Sequence, residues 1–265
     1  MYLSEKTIEN KNKFRIGKTY ISITTPQHAQ RKIIEMVNDG VKGYICVSNP
    51  RTVVYASKHE DYLKVMDNSL MNLPDAEPIL WAAWLWGLKN VQRTMDPLFF
   101  RQMISHPENG LRHFLLGDTN DTLKKVTQKF TEEMKANIVG SYSPPFCGLD
   151  EYDYTEIARI INDSKAGIVW VSMRAPKQDF FATYLLPHLD KKICIGVGAA
   201  FRFSIGEYKM APPIIKKLGL MGLYWGSKGR GWYKFLKSYI TITSIFLWYL
   251  IKIPFRRLLG KKYYI

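Results

Sequence analysis

Residues 167–173 read GIVWVSM, an apolar run rich in β-branched side chains and too short for a free-standing helix. Such a run marks a strand buried on both faces, as in a parallel sheet. A polar turn follows at once, Arg174-Ala175-Pro176-Lys177-Gln178-Asp179. Residues 180–189, FFATYLLPHL, then take up helical spacing, and a second apolar run, KICIGVGAAF at 192–201, ends in a loop of small residues. The unit is strand, turn, helix and strand. Open α/β sheets hold their ligands at the carboxyl ends of such strands. The Pro176-Lys177-Gln178 turn and the loop 196–201 are therefore expected to face one crevice.

The same alternation extends upstream. KTYISIT at 18–24 is a short strand, and Thr25-Pro26 leads into a helix over 27–38 that Gly40 closes. GYICVSN at 43–49 is a buried strand with a polar end, followed by a helix over 52–65 and a short strand over 69–73. A buried Trp- and Ala-rich helix is expected over 78–88, with Pro78 in its first turn. Helices over 96–104, 122–136 and 152–164 alternate with strands at 112–118 and 137–143. The pattern predicts an α/β fold with a doubly wound, mostly parallel, Rossmann-like sheet in residues 1–205. Four strand ends carry polar groups: Ser48-Asn49, Asp75 with Glu77, Gly117-Asp118, and Lys177-Gln178. A parallel sheet brings such ends to one edge.

Charge is distributed unevenly. The net charge is +15, and from residue 206 onward twelve Lys or Arg face the single acid Glu207, which leaves only +4 for the first 205 residues. A basic segment of this kind suits an anionic membrane or a nucleic acid. Cys46, Cys147 and Cys194 form no CxxC, and a reduced cysteine in an apolar run packs as a small hydrophobe. The polar, charged N-terminus is not that of a secretory signal. GVGAAF lacks the third Gly of a dinucleotide fingerprint, and Lys216 and Lys217 stand where its acid would be. Glu151-Tyr152-Asp153 is expected to cap the following helix rather than bind a metal.

Taken in order, these residues resemble the WecG/TagA/CpsF family of bacterial glycosyltransferases from about residue 18 to 234. Asn49 matches the family's Asn after its early strand, and Pro74-Asp75-Ala76 its Pro-Asp-Gly motif. Arg93 matches its Arg before the next helix, and Leu116-Gly117-Asp118 its Leu-Gly-Gly strand end. Pro176-Lys177-Gln178-Asp179 matches Pro-Lys-Gln-Glu, and the loop from Gly196 through Gly198 to Arg202 matches Gly-Val-Gly-Gly-Ala-Phe-Asp. The resemblance implies an inverting enzyme, free of metal and cofactor, that moves a hexose or N-acetylhexosamine from a nucleotide-diphosphate sugar (a UDP-sugar by type) to a lipid-linked diphosphate acceptor. It makes Asp75 the general base, and Ser48, Asn49, Arg93, Gly117, Asp118, Pro176, Lys177, Gln178, Asp179, Gly196, Gly198 and Arg202 the substrate-binding set. Val47 and Met210 replace a family Thr and Arg, and Lys209 and Arg230 are candidates to replace the family's C-terminal arginines at the donor diphosphate. These substitutions motivate an alternative, a catalytically silent nucleotide-sugar-binding subunit of a synthase complex. The sequence is compatible with a homo-oligomer.

Residues 238–251, SYITITSIFLWYLI, carry no charge and are flanked by cations. Fourteen helical residues cover about 21 Å, short of the roughly 30 Å hydrocarbon core. The stretch therefore predicts an in-plane or embedded anchor at the cytoplasmic leaflet within a basic appendage, 206–265. An apolar run has no use on a phosphate backbone, so no nucleic-acid partner is expected. Removal of the residues after about Lys237 is expected to spare the α/β core.

Overall fold

The computed structural model describes residues 12–94, 97–105, 110–226 and 232–263. The described chain opens with an antiparallel hairpin, β1 (Lys13–Ile16) and β2 (Thr19–Ser22), where the sequence shows only one strand. Six further strands form one sheet: β3 (Gly43–Ser48), β4 (Met71–Pro74), β5 (His113–Gly117), β6 (Ile138–Tyr142), β7 (Ile168–Ser172) and β8 (Ile193–Gly196). Their order is β4-β3-β8-β7-β5-β6, and every neighbouring pair is parallel.

Successive side chains of a strand point to opposite faces, so a sheet covered on both sides needs unbroken apolar runs. In β7, Trp170 packs on one face while Val169 and Val171 pack on the other. Ile195 and Cys194 of β8 divide the same way, as do Val47 and Cys46 of β3. Helices α1 (Pro26–Asn38), α5 (Pro97–Ile104), α6 (Asn120–Met134) and α9 (Ala200–Ser204) supply the first layer. Helices α3 (Glu60–Asp67), α7 (Tyr154–Asp163) and α8 (Lys177–Leu185) supply the second.

A third apolar cluster lies beside the sheet. It joins Phe14, Ile16 and Ile21 of the hairpin to Val53 and Val54 of α2 (Pro50–Lys58), and to Ile79, Ala82 and Ala83 of α4 (Glu77–Leu85). This cluster explains why the helix expected over 52–65 is two. The chain turns extended at His59 (φ −124°, ψ 105°), so that Val53 and Val54 serve the third cluster while Tyr62, Val65 and Met66 serve the sheet. It also makes α4 one-sided rather than buried all round, because Trp84 on its far face is 69% exposed.

The C-terminal segment folds as α10 (Pro213–Lys217), α11 (Met221–Gly226) and α12 (Trp232–Leu258). At 27 residues, α12 overruns the uncharged stretch at both ends and is about 40 Å long. The length argument against a span therefore fails: residues Phe235–Leu258 are long and apolar enough to cross a membrane by length and composition alone. Yet Phe246, Leu250 and Ile253, spaced along one face, are buried in the third cluster. Tyr249 donates to Ser57 Oγ at 2.7 Å and Arg257 to the Leu85 carbonyl at 2.7 Å, so α12 lies along α2 and α4. Its opposite face leaves Leu247, Trp248, Ile251 and Phe255 exposed.

Candidate active site

The carboxyl edge of the sheet carries two groups of side chains. The first lies at the ends of β3 and β4. Asn49 terminates β3 by capping α2: its Oδ1 accepts from the backbone N–H of Arg51 and Thr52, and Thr52 Oγ1 accepts in return from the Asn49 N–H at 2.9 Å. Asp75 is held just past β4 because its N–H donates to the Ser48 carbonyl at 2.9 Å. Arg93 is fixed next to it by the strand-like bond from the Thr94 N–H to the Pro74 carbonyl. One guanidinium nitrogen, Nη2, lies 3.2 Å from Asp75 Oδ1. Two buried polar atoms of this group, Ser48 Oγ and Arg93 Nε, have no hydrogen-bond partner among the described residues. An unsatisfied buried donor is costly.

The second group lies at the ends of β8, β7 and β5. Gln178 is buried, and its Oε1 accepts from the Gly198 N–H at 2.9 Å. A Cβ on Gly196 would stand 2.5 Å from Gln178 Nε2, so only glycine allows this amide to brace the loop. Ser172 Oγ donates to the Gly198 carbonyl at 2.7 Å and ties the same loop to β7. Gly117 (φ +98°) brings β5 against the Ser172 carbonyl, where a Cβ would approach to 2.7 Å. The next residue, Asp118, takes a left-handed conformation (φ +58°) although it carries a side chain. Its carboxylate accepts from Arg202 at 2.8 Å through Nη2 and at 3.0 Å through Nε, and from the Thr119 N–H. Burial works to raise the Asp118 pKa, but these hydrogen bonds outweigh it and hold the carboxyl below its ordinary value.

Three further expected site residues have other surroundings. Lys177 follows the cis Ala175–Pro176 bond and donates to the Cys147 carbonyl, with its ammonium 5.0 Å from the rings of both Phe146 and Tyr152. Asp179 is buried and accepts from the Tyr62 hydroxyl at 2.6 Å, with its Oδ1 3.2 Å from where a Cβ on Gly196 would stand. Burial raises its pKa to about 7, partly countered by the bonds from Tyr62 and Gln178. Lys209 is exposed, and Arg230 lies outside the described residues. Asp153 caps α7 through the Glu156 N–H and Glu151 accepts from the Gly148 N–H, as the sequence predicts for a cap. Among the described residues no three His, Cys, Asp or Glu side chains converge as metal ligands.

β3 runs outward to β4, while β8, its neighbour on the other side, is reached through the other half of the sheet. The crevice above this pair is where a doubly wound sheet binds nucleotides. The sequence profile of the glycosyl transferase WecG/TagA/CpsF family matches residues 14–258. This chain belongs to that family. A Bacillus subtilis (strain 168) member named N-acetylglucosaminyldiphosphoundecaprenol N-acetyl-beta-D-mannosaminyltransferase is 25% identical over 189 residues, covering 71% of this chain and 72% of its own. A protein of the same name from Staphylococcus aureus (strain MRSA252) is 26% identical over 191 residues, covering 68% and 70%.

Within the WecG/TagA/CpsF pattern, the structure pairs two departures that look unrelated in sequence. Asp118 stands at the family's second strand-end Gly and Arg202 at the Asp that closes its Gly-rich loop. They bond to each other across the crevice floor.

Proposed function

We propose that this protein transfers a hexose or N-acetylhexosamine from a nucleotide-diphosphate sugar, UDP-linked by type, to a lipid-diphosphate acceptor of the undecaprenyl kind in bacterial surface-polysaccharide synthesis. The observation that carries this reading is the Asp75–Arg93 pair, held at the carboxyl ends of β3 and β4 by backbone bonds to Ser48 and Pro74. Asp75 takes the proton of the acceptor hydroxyl as that oxygen bonds to the anomeric carbon. The bond from that carbon to the diphosphate breaks on the opposite face, and the configuration inverts. Arg93 and the Ser48 hydroxyl hold the charge that develops on the leaving diphosphate, and loop amides beyond Gly196 add to it. No metal is assigned to this step. Gln178 and Lys177 fix the loops that shape the donor pocket, and Asp118 with Arg202 forms its floor.

The names of the relatives support the acceptor class, since both include a diphosphoundecaprenol. The exposed apolar face of α12 supports peripheral association with a membrane that holds such a lipid, which we assign to the cytoplasmic leaflet as part of the proposal. The purified full chain with a short-chain lipid-diphosphate N-acetylglucosamine acceptor and a panel of UDP-sugars tests the reading. Transfer with an inverted anomeric configuration, seen by NMR and unaffected by EDTA, is expected. Retention, or a need for added metal, overturns the mechanism. Donor binding without transfer to any acceptor makes the protein a silent subunit instead.

A further inference from the structure

A cleft of about 230 Å³ lies between the β1–β2 turn and α12, beyond the far end of α4 from Asp75. Four cations line it: Arg15 and Lys18 from the hairpin, and Lys252 and Arg256 one helical turn apart on α12. Among the described residues none of the four lies within 4 Å of a carboxylate. Like charges gathered without a counter-ion repel one another, and an anion at their centre relieves that cost.

The walls of the cleft are built and fixed. Trp86 donates to the Arg15 carbonyl at 2.8 Å, Tyr249 is pinned by Ser57, and Gly17 (φ +62°) lets the Tyr249 ring come within 3.0 Å of where a Cβ would be. Arg15 turns one side of its guanidinium to the Gly17 carbonyl at 2.8 Å through Nε. The position on α12 is as telling as the charge. Lys252 and Arg256 sit on the shoulder between the buried face and the exposed face of Leu247, Ile251 and Phe255. With that exposed face in the acyl region, the cleft mouth comes to the level of lipid phosphates.

We infer that this cleft binds the phosphate of an anionic membrane lipid, so that the protein docks on a lipid headgroup through a shaped site and not by diffuse attraction alone. The lipid source rests on the membrane reading of α12, while the affinity for a phosphate monoester or diester does not. The test uses the full chain with water-soluble dioctanoyl phosphatidylglycerol below its micelle concentration, with inorganic phosphate, and with vesicles of phosphatidylcholine with and without phosphatidylglycerol. Lys18→Gln/Arg256→Gln removes two cleft charges, and Lys237→Gln/Lys261→Gln removes two charges outside it. The cleft pair should lose about tenfold or more in affinity for the soluble lipid and for anionic vesicles, and the control pair about threefold or less. Equal losses from the two pairs overturn the cleft and leave membrane binding intact. Binding of the soluble lipid with no binding to any vesicle keeps the cleft and removes the membrane reading. Inorganic phosphate bound as tightly as the lipid, with vesicle binding equal in both pairs, overturns the lipid source. Normal thermal melts of both variants show that the comparison is between folded proteins.

Discussion

Asp75 and Arg93 stand 18 positions apart and meet because both are anchored to the last residues of β3 and β4. Asp75→Asn keeps the shape and the backbone anchor, so folding and donor binding should persist while turnover falls about 10²-fold or more. A rate close to that of the parent in a single-turnover assay would reduce Asp75 to a structural role. The Asp118–Arg202 pair makes a second prediction. Arg202→Asp alone sets two carboxylates together and should lower stability and donor affinity, whereas Asp118→Gly with Arg202→Asp restores the family arrangement. A double-mutant cycle on thermal stability should show a coupling of about 1–2 kcal/mol, and strict additivity would mean that the pair is incidental. Asp179 predicts a pH effect. Its carboxyl titrates near 7 in the folded chain and near 3.9 in an unfolded one, so the folded state binds the extra proton between those values. The contribution of neutral Asp179 to stability is complete below about pH 4 and is lost as pH rises through about 7. Asp179→Asn should therefore flatten the fall in melting temperature between pH 5 and 8, and an unchanged slope would count against a buried, protonated carboxyl.

Among the elements, the sheet and the presence of an apolar C-terminal helix were legible, while the length and docking of that helix were not. GYICVSN, RHFLLGD and GIVWVSM are unbroken apolar runs because both faces are covered, and each lies within a residue of the strand it predicts. The hairpin strand β1 was missed because KFRI, although it alternates as a half-buried strand does, is only four residues long and follows a polar, charged stretch. For α12, hydropathy records an apolar segment but not which partner each face has. Three of its side chains belong to a core of hairpin, α2 and α4 residues that no local pattern connects. That docking changes the expectation for a truncation after Lys237. It would uncover Phe246, Leu250 and Ile253, each worth about 1.5–3 kcal/mol when buried, and destabilise the hairpin side of the domain. The informative variant replaces only the outer face. Leu247→Ser/Ile251→Ser/Phe255→Ser should abolish flotation with vesicles while the melting temperature stays within a few degrees, and undiminished flotation would place the membrane contact elsewhere.

The carboxyl edge of the sheet holds the candidate site residues, and their positions were readable from sequence to the extent that strand ends announce themselves. Ser48, Asn49, Asp75, Gly117 and Gly196 all fall where the buried runs stop. Which of them would touch one another was not readable. The Asp118–Arg202 bond spans 84 positions and Tyr62–Asp179 spans 117, and partners that far apart are set by packing rather than spacing. Most of the excess charge lies in residues 206–265 along with the apolar outer face of α12. Raising the salt from 0.1 to 1 M shortens the screening length from about 10 Å to about 3 Å. Vesicle binding should then fall but persist, because insertion of the outer face is unscreened. Complete release at 1 M salt, measured by sedimentation, would mean that charge alone holds the protein to lipid.

On the proposed mechanism, with Asp75 as the base, the ion pair between Asp75 and Arg93 implies an order of events. While Arg93 rests on Asp75 Oδ1, that oxygen is occupied by a guanidinium rather than by an incoming hydroxyl. A bound diphosphate carries more negative charge than one carboxylate and draws the guanidinium away. The base thus comes into use only when a leaving group is already seated. Steady-state kinetics should show compulsory addition, donor before acceptor, and Arg93→Lys, whose single ammonium cannot span both partners, should turn the sequence of binding random.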